Sequence, residues 1–168
     1  MLSALVVPVP RVAQIIDGWR EKTCNARPSI GVPAHVTLLF PFMPAEQIDY
    51  QVLDDLKHLF AGFEPFGFTL PRLARFPTTL YLAPEPAGPF VELTRAIAGR
   101  WPDHPPYEGA FDEIVPHLTV AQGSRLDEAE ADVAQRLPLR GRAREALLLR
   151  QTASERWEPV AGFPFREP

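Results

Sequence analysis

The chain has 168 residues, 46% of them hydrophobic and 23% charged, with a formal net charge of −4. Such a length sustains one domain with a sizeable core, and the charge excludes a generally basic nucleic-acid sleeve while leaving room for a local patch. The single cysteine, Cys24, excludes a disulfide framework and a cysteine-rich zinc site; with no membrane-length apolar run and no basic leader at Met1-Leu2-Ser3-Ala4, a soluble cytoplasmic protein is expected.

Residues 3–9 form an apolar run that reads as a buried strand. Val12, Ile15, Ile16 and Trp19 follow at helical spacing and predict an amphipathic helix. Pro28 and Pro33 punctuate the chain before a strand from Ala34 to Phe40. Ile48, Val52, Leu53, Leu56, Leu59 and Phe60 predict a second helix ending at Gly62, and Phe66, Phe68 and Leu70 alternate as a strand. The pattern then restarts, so two similar halves are expected to meet near residues 72–78. Thr78 to Ala83 is a strand, Phe90, Leu93, Ile97 and Trp101 make a helix face, and a proline-rich loop leads to a strand at His117 to Ala121. Ser124 with Asp127 resembles a capping box opening a helix through Leu137. Strands at 138–143 and 146–151 and a last one near Trp157 to Phe165 complete the chain.

The 20 prolines accompany apolar residues rather than Ser and Gln, so they point to short, punctuated elements and not to disorder. Arg136, Arg140, Arg142 and Arg144 form a cationic cluster that reads as a solvated strand edge guarded against aggregation.

Each half carries His-x-Thr on its second strand: His35-Val36-Thr37 and His117-Leu118-Thr119. Residues i and i+2 of a strand share a face, so His35 pairs with Thr37 and His117 with Thr119. Val36, Leu38 and Phe40, and likewise Leu118 and Val120, fall on the opposite, apolar side. That side belongs to the core, which turns both imidazoles and both hydroxyls toward a cleft. Two imidazoles are suited to act as complementary acid and base near neutrality, and threonine hydroxyls to donate hydrogen bonds to phosphate oxygens. No carboxylate accompanies the imidazoles, so the chemistry is expected to need no metal or other cofactor.

The two motifs, about 80 residues apart in a small duplicated chain, resemble the 2H phosphoesterase superfamily, which includes the bacterial enzymes named 2′-5′ RNA ligases and the cyclic phosphodiesterases. The resemblance implies an α+β, bilobal, duplicated fold: one domain over residues 1–168, with N- and C-terminal lobes related by a pseudo-two-fold. Two antiparallel sheets are expected around a central cleft, with helices outside. It also implies catalysis by His35 and His117, substrate phosphate held by Thr37 and Thr119, and action on a cyclic phosphate or 2′-5′ phosphodiester of a nucleotide or RNA end. Two departures favour a small nucleotide or single RNA terminus over a long duplex. Ala121-Gln122 follows the second motif where many ligase-named members are basic, and Phe40-Pro41-Phe42 follows the first. A monomer is expected. The rival reading is a non-catalytic nucleotide- or RNA-end-binding module. Phe42, Tyr107 and Phe111 are candidates to stack on a base, although such aromatics more often belong to a core. His58 and His104 lack a following Thr and read as surface residues, and Cys24 reads as incidental.

Overall fold

The computed structural model describes residues 1–110 and 113–166. The N-terminal apolar run becomes β1 (Ser3–Pro8). A short helical turn opened by Pro10, whose fixed φ suits a first helical position, leads into α1 (Ala13–Thr23). The first motif lies on β2 (His35–Leu39). Asp49 then caps α2 (Tyr50–Ala61) by accepting a 2.9 Å hydrogen bond from the Val52 amide. The hairpin of β3 (Phe66–Phe76) and β4 (Thr79–Glu85) precedes α3 (Gly88–Arg100). The chain continues through β5 (Leu118–Gln122), α4 (Leu126–Ala134), β6 (Leu139–Ala143), β7 (Glu145–Gln151) and β8 (Trp157–Pro164).

The strands form two antiparallel sheets, ordered β2-β1-β7-β8 and β5-β4-β3-β6. This is the expected α+β bilobal architecture, but the chain distributes its strands differently from a simple division at 72–78. β3 runs unbroken to Phe76 and pairs in the second sheet, while β7 and β8 return to the first. The motif strands β2 and β5 hold the same edge position in their sheets, next to β1 and β4 respectively. They also touch one another, and the helices cross over: α1 packs on β5 and α3 on β2. Val36, Leu38, Leu118 and Val120, each no more than 2% exposed, join one core with Ile16, Phe60 and Phe90. That shared core fixes which way each motif strand presents its other face. No helix among the described residues is long and apolar enough to cross a membrane.

Two expectations near the second motif need correction. Ser124 caps nothing: the helix starts at Leu126 with Arg125 at its N-cap position and no side-chain cap hydrogen bond. Arg125 instead reaches Glu128 at 2.7 Å, and α4 ends at Ala134 rather than at Leu137.

Candidate active site

His35 opens β2, and His117 stands one residue ahead of β5. Their rings are held alike. His35 Nδ1 lies 2.7 Å from the Pro33 carbonyl oxygen, and His117 Nδ1 lies 2.8 Å from that of Val115. A carbonyl only accepts, so each Nδ1 carries the proton and donates. Each Nε2 is thereby left without a protein partner among the described residues.

Thr37 and Thr119 share the faces of their histidines. Cross-strand pairing sets Thr37 opposite Val6 and Thr119 opposite Tyr81. Neither hydroxyl makes a hydrogen bond to the protein among the described residues. Thr94 differs: its hydroxyl is buried and donates 2.7 Å to the Leu38 carbonyl. The two motif threonines therefore keep donors available for a ligand. The structure brings all four expected residues to the junction of β2 and β5.

The surroundings of the two imidazoles differ. His117 is boxed by aromatic rings, with Phe76 at 5.1 Å and Tyr81 at 5.6 Å between centroids, both edge-on. Burial pushes its pKa below the usual histidine value, against the opposing effect of the Val115 hydrogen bond. His35 is pushed down to about 4, chiefly by burial, with the charges of Arg20 and His117 adding to it and the Pro33 hydrogen bond opposing it.

Arg20 is a residue that sequence reasoning misses. It lies on α1, is 2% exposed, and pairs with Asp17 at 2.8 Å. Its Nη2 donates to the carbonyls of Ala26 (3.0 Å), Val32 (2.8 Å) and Pro33 (3.1 Å). The Pro33 oxygen therefore accepts from both Arg20 and His35, so the guanidinium fixes the α1–β2 loop that orients the His35 ring. A second link closes this loop onto the first sheet. Gly31 has φ +95°, and a Cβ there would stand 2.1 Å from the Trp157 carbonyl oxygen, so only glycine permits the approach.

A hollow of about 620 Å³ beside His35 and Thr37 is walled by Phe40, Trp157, Arg27 and Gln151. A smaller one, about 160 Å³, joins Thr37 and Phe40 to Tyr107 and His117. Alternation places Phe40 on the core side, yet it is 42% exposed and meets Trp157 edge-on at 6.1 Å. The strand ends at Leu39, so its alternation no longer governs the next residue. Phe42 is only 3% exposed and packs on Trp101, which removes it as a stacking candidate. Tyr107 lines the smaller hollow, and Phe111 lies outside the described residues. His58 is exposed; His104 is half-buried with its ring against Phe42 and is not a free surface residue. Cys24 is buried, and burial raises its thiol pKa, the opposite of nucleophile activation. Among the described residues, no three His, Cys, Asp or Glu side chains converge to hold a metal ion.

Residues 8–155 match the family model described as the 2′-5′ RNA ligase superfamily, and the chain belongs to that family. The resemblance to 2H phosphoesterases carried by the two His-x-Thr motifs thus holds. The fold is similar to that of LigT from E. coli, at a TM-score of 0.61 and 17% identity, covering 99% of this chain and 98% of that one. It is also similar to TT0787 of Thermus thermophilus, at a TM-score of 0.64 and 21% identity with the same coverage. A further crystal structure described as a phosphoesterase matches at a TM-score of 0.60 and 16% identity, covering 99% of both chains. No curated protein sequence matches the chain significantly.

Proposed function

We propose that the protein is a metal-independent phosphoesterase that opens a 2′,3′-cyclic phosphate, or cleaves a 2′-5′ phosphodiester, at a nucleotide or RNA end. One observation carries the reading: two His-x-Thr edges meet with both Nε2 atoms and both threonine hydroxyls unengaged by the protein among the described residues. One imidazole takes the proton of the attacking water, and the other returns a proton to the departing ribose oxygen. The net proton count is unchanged, so the pair needs no metal-activated water. Thr37 and Thr119 donate to the non-bridging oxygens, where negative charge accumulates in the transition state. Nucleotide binding by a relative supports the ligand class, since E. coli LigT is known in complexes with 3′-AMP and with NADP+.

The threonine role has its own test. Thr37→Val and Thr119→Val keep the shape and remove one donor each. Each is expected to lower kcat on a 2′,3′-cyclic nucleotide by about 100-fold or more, with a smaller effect on KM. An effect confined to KM would show that the hydroxyls merely hold the ground state.

The proton balance predicts an acidic pH optimum. The working form carries one proton on the pair. At low pH both rings are charged and no base remains; at high pH both are neutral and no acid remains. Because His35 is pushed down to about 4 and His117 also lies below the ordinary histidine value, kcat/KM should be bell-shaped with both limbs on the acid side of an ordinary histidine. A monotonic profile, or one centred above neutrality, would contradict paired-histidine catalysis in this environment.

A further inference from the structure

The second sheet has an open face whose composition can be read across all four of its strands. Directly paired residues of antiparallel strands share a face. Thr119 pairs with Tyr81 and Tyr81 with Ala74, and the His117 ring touches Tyr81 on that side. Two residues along, Ala83 pairs with Arg72. Past a bulge in β3, Glu85 pairs with Thr69, Thr69 with Arg140, and Gly67 with Arg142. One continuous surface therefore runs from the motif edge at β5 to the far edge at β6, a distance of about 14 Å at normal strand spacing. Tyr81 lies beside the motif edge, Ala74, Ala83, Thr69 and Gly67 make the stretch beyond it, and the far side carries Arg72, Arg140 and Arg142 with one carboxylate, Glu85, beside Arg72.

These arginines are not consumed by the fold. Arg140 and Arg142 are exposed and form no ion pair among the described residues. Arg72 is 61% exposed and has only a loose 3.8 Å pairing with Glu85. Arg142 also lines a hollow of about 240 Å³ with Arg11, Arg144 and Glu145 at the β6 edge. Guarding an edge strand would require charge on β6 and nothing more. It does not account for arginines placed on the same face as His117, nor for Arg72 on an interior strand. The cations are guanidinium groups, which match phosphate by paired donors, and the chain has only two lysines, Lys22 and Lys57.

We infer that this face is a track for single-stranded RNA, whose phosphodiester groups lie along Arg72, Arg140 and Arg142 while the strand's end is held between His35 and His117. The inference rests on the phosphoesterase reading of the cleft and specifies its substrate as an oligonucleotide end in preference to a free mononucleotide. The local charge overrides the acidic balance of the whole chain because phosphate contacts act at short range under physiological salt.

The test is the salt dependence of binding, by fluorescence anisotropy, of a labelled single-stranded oligoribonucleotide ending in a 3′-phosphate. Three phosphate contacts predict that the wild-type Kd weakens about 20-fold between about 50 and about 200 mM salt, against about 3-fold for Arg140→Ala/Arg142→Ala. The Arg140→Lys/Arg142→Lys protein should regain most of the slope. Equal slopes for wild type and the alanine variant overturn the track, as does equal competition by a polyglutamate peptide of similar charge. Turnover of a 2′,3′-cyclic mononucleotide by the wild type, measured in parallel, separates the two readings. Salt-dependent binding without any turnover removes the catalytic reading and keeps the track; turnover with salt-independent oligonucleotide binding removes the track alone.

Discussion

Replacing His35 or His117 with alanine is expected to lower kcat on a 2′,3′-cyclic nucleotide by about 100- to 10,000-fold, the range supplied by a positioned general acid or base. Both rings use Nδ1 only to donate to a backbone carbonyl two residues earlier. Truncation therefore removes the reacting nitrogen while leaving the β2 and β5 ladders intact, and far-UV circular dichroism should be unchanged. The two substitutions should not multiply. An acid without its base, or a base without its acid, has already lost the concerted proton transfer, so the double variant should fall little below the weaker single one. Full additivity in the logarithm of kcat would show that the histidines act independently.

Arg20→Met is expected to cost about 3 kcal/mol of stability, measured by denaturant unfolding, and to move the acid limb of the pH profile upward. The stability loss follows from burial. Methionine fills much of the volume but leaves the carbonyls of Ala26 and Val32 without the donor that satisfies them, strips Pro33 of one of its two donors and leaves Asp17 without its ion-pair partner. The upward movement follows from charge. A neighbouring cation disfavours a protonated imidazole, so its removal raises the value of about 4 at His35 part of the way toward normal, with burial still holding it down. Arg20→Lys separates the contributions. It retains the positive charge and should hold the pH limb near its wild-type position, yet a point-like ammonium cannot hold Asp17 and the three carbonyls at once, as Nη1 and Nη2 of the guanidinium do. A variant with wild-type stability and a wild-type pH profile would show that Arg20 plays no part in setting His35.

The elements that sequence reading recovers best are those whose signal is local. The spacing of Val12, Ile16 and Trp19 marks α1, and the i, i+2 relation within each His-x-Thr places imidazole and hydroxyl on one face. The pairing of β7 beside β1 is a long-range choice made by the core, with no local signature. Arg20 is invisible in the sequence for a related reason. Within α1 it reads as one more polar-face residue between Trp19 and Glu21, and the carbonyls that bury it belong to a loop whose path is set elsewhere. Alternation carried one residue beyond the end of β2 misplaces Phe40. Ser124 has the spacing of a capping box but not the helix start, which falls two residues later. The prolines become partly intelligible. Pro10, Pro28, Pro89 and Pro106 open helical turns, Pro71 sits within the bulge of β3, and Pro33 supplies the carbonyl shared by Arg20 and His35. The arginines of β6 are legible as a charged edge. Their alignment with His117 requires the strand register across that bulge.

On the proposed mechanism two imidazoles, and no metal, cleave a phosphoester at the junction of β2 and β5. The most direct measurement is steady-state hydrolysis of 2′,3′-cyclic nucleotides by the protein in excess EDTA, with His35→Ala and His117→Ala assayed alongside. Undiminished turnover in the chelator is expected, with its loss in each variant. Turnover that disappears with chelation, or that survives both substitutions, would contradict it.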